Sequence, residues 1–338
     1  MRLKSLPQVT APVEFKDNIM KDVYISSCDK NGGIYRYNLQ NGKLIFKEKT
    51  DIDRPMYTVS YVSRLYVLLR EINESNNFGG VMSFEIAKDG SLCNPSETLS
   101  SGGICPCHLA VTDKDTYIVN YLSGNIVSIG GKESIHKGSG VNLPRQDTAH
   151  THFVNLSPDK KYLLCCDLGL DSIYTYDFDL NVQSVAKVKS GEGARHLAYS
   201  SDGKYVYCVN ELGSSLSVFS YCDGSLQLLN TYQSIEKTVE NTAAAIRFKD
   251  GYVYVSNRGE DTIVCFKADE DRLTLVSRTY VGGSSPRDFN FCDNYLICTN
   301  EKTNNITVFS VQKDKLISTD EVTNIANPLC VTVIGDNL

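Results

Sequence analysis

The stretch Gly193–Leu212, GARHLAYSSDGKYVYCVNEL, decides how the chain is read. Two short runs, Leu197 to Ser200 and Tyr205 to Asn210, flank a Ser-Asp-Gly turn at Ser201 to Gly203. Runs rich in aliphatic and aromatic residues, joined by a Gly-containing turn, predict a β-hairpin. Antiparallel pairing sets the start of the first strand beside the end of the second. Arg195 and His196 stand at that start, and Glu211 at that end. A guanidinium, an imidazole and a carboxylate are therefore expected to meet at the open end of one hairpin.

Working outward, the same unit recurs. After the hairpin come SLSVFSY, an Asp-Gly turn at Asp223-Gly224 and LQLLNTYQ. AAAIRF, GYVYVSNRG, TIVCFKA and DRLTLVSRTY repeat the order, as do PRDFNF, NYLICTNE, NITVFSV and DKLISTD. Upstream, HTHFVNLS, KYLLCCDLG, SIYTYDF and VQSVAKV match, then CHLAVT, TYIVNYLSG, NIVSIG and the short ESIHKG, then MYTVSYV, RLYVLLREI, GGVMSFEI and GSLCNPSETL. Second strands anchored on Tyr24, Tyr66, Tyr117, Leu163, Tyr207, Val253 and Leu296 are spaced by 42, 51, 46, 44, 46 and 43 residues. Four short strands per period of that length are the signature of a β-propeller, here all-β and seven-bladed. The first unit, from Val23, lacks an inner strand, and Pro328 to Ile334 near the C-terminus resembles one. The last strand is thus expected to join the first blade and close the ring, which removes the open edges of a linear array. A chain cut before Leu329 should open it. With no internal linker or low-complexity segment, residues 1–338 read as one propeller domain.

Composition agrees and excludes some functions. The chain has 20 tyrosines, no tryptophan and much Gly, Asn, Asp and Ser punctuation, which favours short strands over helices. A net charge of −6 argues against a broad nucleic-acid surface. No run is apolar enough to span a bilayer, and the opening MRLKSLPQVTAPVEF has no signal-peptide core. Several of the 12 cysteines sit inside strand-like runs, as small apolar residues would (Cys165, Cys208, Cys265, Cys298). A reduced, cytoplasmic chain is expected. Cys105-Pro-Cys107, with one intervening residue and no second pair, makes a poor zinc site, and no metal or cofactor is expected. A closed ring makes a monomer the default.

In a propeller, inner strands begin and second strands end on one face near the axis. The residues at those places are His108, Asn120 with Tyr121, His150 with His152, Asp167, Arg195 with His196, Asn210 with Glu211, Asn257 with Arg258, Arg287, and Asn300 with Glu301. Four of the five histidines fall in this set, and His136 does not. Each has a plainer reading. The asparagines can cap turns, His108 and His196 can join blades, and Asp167 can satisfy turn amides. His152, Arg195, Glu211 and Arg258 are harder to explain away, because a buried charge needs a partner or ligand. Arginines suit phosphate or carboxylate, and His and Glu carry protons near neutral pH. No nucleophile elbow, P-loop or dinucleotide fingerprint is present. The expected chemistry is acid–base work on a small anionic substrate, with water or an internal group as nucleophile.

The stretches CHLAVTDKDTYIVNYLSG, HTHFVNLSPDKKYLLCCDLGLDSI, GEGARHLAYSSDGKYVYCVNEL, AAAIRF with YVYVSNRGEDTI, and SPRDFNF with LICTNE resemble the seven-bladed lactonase propellers. That family includes the bacterial propeller-type 6-phosphogluconolactonases and the fungal carboxymuconate-lactonising enzyme. The resemblance runs from about His108 to Asn305, with weaker blade patterns at both ends. It implies hydrolysis of a sugar-acid lactone, with 6-phosphogluconolactone foremost, and places the acid–base and anion-binding set on His152, Arg195, Glu211 and Arg258. His108, Asn120, His150, Asp167, His196, Asn257 and Arg287 are candidate substrate contacts. The family's Gly-Pro-Arg-His is Gly193-Ala194-Arg195-His196 here, and the connection from Tyr121 to His150 is shorter and irregular. A related lactonising enzyme acting on a carboxylate, or a propeller that binds without turnover, fits the same residues.

Overall fold

The computed structural model describes residues 21–72, 77–236 and 239–334. The opening segment read above for a signal peptide lies outside them. Seven antiparallel sheets follow one another along the chain, and there is no α-helix among the described residues. Blade 5 is typical: Ala194–Tyr199, Tyr205–Asn210, Ser215–Cys222 and Ser225–Gln233 pair in sequence order. Alternation explains why these residues form a blade rather than a one-sided sheet. Successive side chains of a strand point to opposite faces. Val206 and Cys208 pack toward blade 4, while Tyr207 and Val209 pack toward blade 6. Both faces are apolar because both are covered. Seven such clusters, one between each pair of neighbouring blades, form the core.

The ring closes as the sequence predicts. Pro328–Val333 pairs antiparallel with Lys21–Ser27 and completes the first blade. The seven innermost strands touch in a cycle around the axis. A chain ending before Leu329 leaves Lys21–Ser27 as an open edge. Its thermal unfolding, followed by circular dichroism, is expected to lose its single cooperative transition; an unchanged transition would mean that the closure is dispensable.

Blade 2 departs from the expected outer strand GSLCNPSETL. Leu92–Cys93 and Leu99–Ile104 pair separately with Phe78–Ile86. Between them Asn94 takes φ of 46° and Pro95 follows, and Pro has no N–H to give a ladder. All 12 cysteines are free thiols. No helix among the described residues is long and apolar enough to cross a membrane.

Candidate active site

The inner strands carry a repeated irregularity that builds the site. Pairing with the second strand slips once in each blade near the start of the inner strand, so one residue there has no partner. A bulge of this kind bends the strand and re-aims a side chain. The extra residues are Leu329, Met56, Cys107, His152, Arg195 and Arg287 in blades 1, 2, 3, 4, 5 and 7. In blade 6 the slip falls within Ala244-Ala245. The six named side chains all line one cavity of about 20 Å³ on the axis, together with Tyr57, His196 and Asp288, room for about one water. Above it opens a cleft of about 370 Å³, lined by Met56, Cys105, Cys107, Tyr121, Arg145, His152, Glu211, Thr242, Arg258 and Arg287. One wall is apolar and sulfur-rich, and the opposite wall is cationic.

Glu211 is the hub of the cationic wall. Its Oε2 accepts from Arg195 Nε at 2.8 Å and lies 3.0 Å from Arg258 Nη2, and its Oε1 accepts from Arg145 Nη2 at 2.6 Å. Arg195 and Glu211, expected to meet at the open end of one hairpin, do so there. Gly193 fixes the height of the carboxylate, since its carbonyl accepts from Glu211 N at 2.7 Å. Gly193 has φ of 72°, and a Cβ on it would come within 2.8 Å of Leu212, so the turn favours glycine.

Burial alone would raise the Glu211 carboxyl, but the guanidiniums of Arg258, Arg195 and Arg145, with His152, hold it well below its ordinary value. Burial, and then Arg258, lowers Arg195 to about 10. Arg287 is paired with Glu301 at 3.3 Å. Four guanidiniums thus share two carboxylates, leaving about two positive charges over. Arg195 Nη1 and Arg258 Nε are buried with no hydrogen-bond partner among the described residues. Unspent buried donors are rare and equip the wall to take an anion.

His152 lines both the cleft and the small cavity. Burial first, and then Arg195, pushes its pKa well below 6.5, so the ring is neutral at pH 7. Its Nδ1 is buried without a partner among the described residues. His196 lies one ring further along the axis, with centroids 5.2 Å apart. His108 lies beyond it at 5.3 Å and packs at a tilt against Tyr57 and Phe153, each at 4.4 Å. Burial, then Arg247 and Arg195, lowers His108 to about 3. These rings separate the cleft from a second chamber of about 550 Å³ at the opposite mouth, which His108 lines.

The structure brings His152, Arg195, Glu211, Arg258 and Arg287 together and sets His196 just beneath them. The other candidate contacts lie elsewhere. His108 faces the far chamber. His150 stacks on Tyr121 at 4.4 Å and holds the Tyr121 carbonyl, outside the cleft lining. Asp167 is fully buried; it accepts from the His150 and Leu170 amides and meets His136 Nδ1 at 2.6 Å. That bond also accounts for the one histidine outside the sequence set. Asn120 donates to Ser101 and Asn125, and Asn257 to Ser234 and Thr262. Asn210 and Asn300 likewise donate to the third strands of their blades. Apart from Asn120 Oδ1, which has no partner among the described residues, these side chains are spent on the frame, because a strand end beside the axis has buried polar groups to satisfy.

Sequence reasoning missed Arg145 and the wall of Met56, Cys105 and Cys107. Arg145 lies in an aperiodic connection and gives no signal of position. Cys107 is no nucleophile, since burial and then Cys105 raise its thiol well above its ordinary value.

Comparison with known proteins agrees with the propeller fold. A family described as "Lactonase, 7-bladed beta-propeller" matches residues 22–333. An uncharacterized Staphylococcus aureus protein (strain bovine RF122 / ET3-1) is 32% identical, covering 92% of this chain and 99% of its own. A Lactobacillus plantarum crystal structure superposes with a TM-score of 0.85 at 27% identity, covering 94% of this chain and 100% of that one. A candidate 6-phosphogluconolactonase of Bacteroides fragilis superposes with a TM-score of 0.85 at 25% identity, covering 96% and 100%. The chain belongs to the lactonase family of seven-bladed β-propellers.

Proposed function

We propose that the cleft hydrolyses a lactone bearing an anionic group, with 6-phospho-D-glucono-1,5-lactone as the substrate and 6-phosphogluconate as the product. The observation that carries this reading is the wall of four guanidiniums sharing two carboxylates beside a neutral histidine. A surplus of about two positive charges matches a phosphomonoester, which carries about −1.5 to −2 at pH 7. Similarity to the candidate 6-phosphogluconolactonase of Bacteroides fragilis supports the same substrate.

In this scheme His152 takes a proton from water as the water oxygen attacks the lactone carbonyl. The oxyanion forms beside the unspent donors of Arg195 and Arg258. Its collapse breaks the ring C–O bond, and the imidazolium returns the proton to the leaving alkoxide. Glu211, the other member of the acid–base set able to act as a base, is a poor one, because both its oxygens are held by guanidiniums, whereas His152 Nδ1 has no partner among the described residues. Its role is to hold the three arginines in register.

The test generates the lactone with glucose-6-phosphate dehydrogenase, subtracts uncatalysed opening and runs gluconolactone alongside. Faster opening of the phosphorylated lactone is expected. Opening of gluconolactone alone would replace this reading with a broader lactonase. No acceleration of either would leave a muconate-type or binding role. The apolar wall of Met56, Cys105 and Cys107 favours, as a second reading, a carboxylated lactone with a less hydroxylated skeleton.

A further inference from the structure

We propose that Arg145 is the specificity-determining residue that reads the substrate's anionic group, phosphate or carboxylate, at the mouth of the cleft. The proposal rests on the reading above that the cleft takes an anionic lactone.

Arg145 differs from the other arginines on Glu211 in origin and exposure. Arg195 and Arg258 come from blade strands, and their side chains are 3% and 14% exposed. Arg145 comes from the strap between blades 3 and 4, and its side chain is 44% exposed. Its Nη2 bonds Glu211 and reaches the Tyr121 hydroxyl at 3.4 Å. Its Nε and Nη1 have no partner among the described residues. One edge of the guanidinium is thus anchored and the remaining donors are unspent, in a side chain that lines the cleft. A planar fork held in this way suits two oxygens of one phosphate or carboxylate.

The strap that carries it is built to stay in place. Gln146, the next residue, has no exposed surface. Its Nε2 donates to Leu168 O and Asp171 Oδ1, both at 2.8 Å, and its Oε1 accepts from Asn142 N at 3.0 Å. Asp147 lies 3.3 Å from the His150 ring, which stacks on Tyr121. Burying a glutamine beside an exposed arginine fixes where that arginine stands before substrate arrives, which lowers the ordering cost of binding. The buried arginines sit deep beside His152, where the reacting carbonyl would lie. Arg145 stands at the entrance, where the charged tail would be.

The experiment compares wild type, Arg145→Ala and Arg145→Lys on 6-phosphogluconolactone, gluconolactone and a carboxylated lactone. The preference for a charged over an uncharged lactone, read as a ratio of kcat/KM, should fall about 10- to 100-fold in Arg145→Ala, as expected for lost charge-assisted hydrogen bonds. Arg145→Lys should restore part of it, since it keeps the charge but not the fork. The charged lactone that loses most identifies the group recognised. A ratio unchanged within about twofold, or equal loss on all three lactones, would overturn the proposal and leave Arg145 acting only through Glu211. If wild type accelerates no lactone, the proposed reaction fails on its own. Calorimetry of 6-phosphogluconate against gluconate then decides Arg145: selective weakening of the phosphorylated acid in Arg145→Ala supports it, and equal affinities in wild type and variant overturn it.

Discussion

Glu211→Ala is expected to lose about 3–5 kcal/mol of stability and almost all lactone opening. The carboxylate is 4% exposed and shared by Arg195, Arg258 and Arg145. Removing it leaves two largely buried guanidiniums and a third at the rim without their common counter-charge. Two consequences should separate cleanly. Urea denaturation should show a lower midpoint with an unchanged slope, as for a loss of stability within an intact fold. Glu211→Gln, which keeps the shape, should lose activity while retaining part of the stability. The pH dependence has a fixed sign. The folded-state pKa of Glu211 is depressed below its ordinary 4.5, so its stabilisation is fully present above about pH 4.5 and lost as pH falls through the lower folded value. Acid unfolding should therefore be less steep in Glu211→Ala. Equal acid limbs would contradict the ion-pair network.

His152→Ala should leave the propeller folded and lower kcat/KM by about 10²–10⁴, the range for loss of a positioned general base. The base acts when neutral. Because burial and Arg195 hold its pKa well below 6.5, wild-type activity should stay level from pH 8 down past 6.5 and fall only well below it. The substrate phosphate itself titrates near pH 6, so gluconolactone serves as the control without that group. A wild-type inflection near 6.5 on gluconolactone would contradict the assignment. So would a His152→Ala variant within threefold of wild type.

The architecture was legible because it repeats. A strand pattern returning every 42 to 51 residues survives an error in any one unit, and the missing first strand pointed to its replacement at Pro328. The core residues Tyr207 and Val209 could be placed in strands from alternation alone. The bulges were not visible. Ala194-Arg195-His196 reads as three successive strand residues, and only the slip against Asn210 and Val209 shows that Arg195 turns toward the axis. The pairing of Arg195 with Glu211 was legible because hairpin geometry joins them. The saturation of Glu211 was not, since Arg145 arrives from a strap 66 residues away in sequence. For the same reason residue type alone leaves Glu211 and His152 together in the acid–base set, and only the three guanidiniums on Glu211 separate them. Asp167 and the strand-end asparagines belong to the right face of the propeller, but residue type cannot separate a polar group facing a cleft from one satisfying buried backbone.

The most direct test of the central claim is the rate of 6-phosphogluconolactone opening by purified wild type and His152→Ala, each corrected for the spontaneous reaction. A cationic cleft with a neutral histidine base predicts acceleration by wild type that falls about 10²–10⁴-fold in the variant. No acceleration by wild type, or acceleration that survives in His152→Ala, would contradict it.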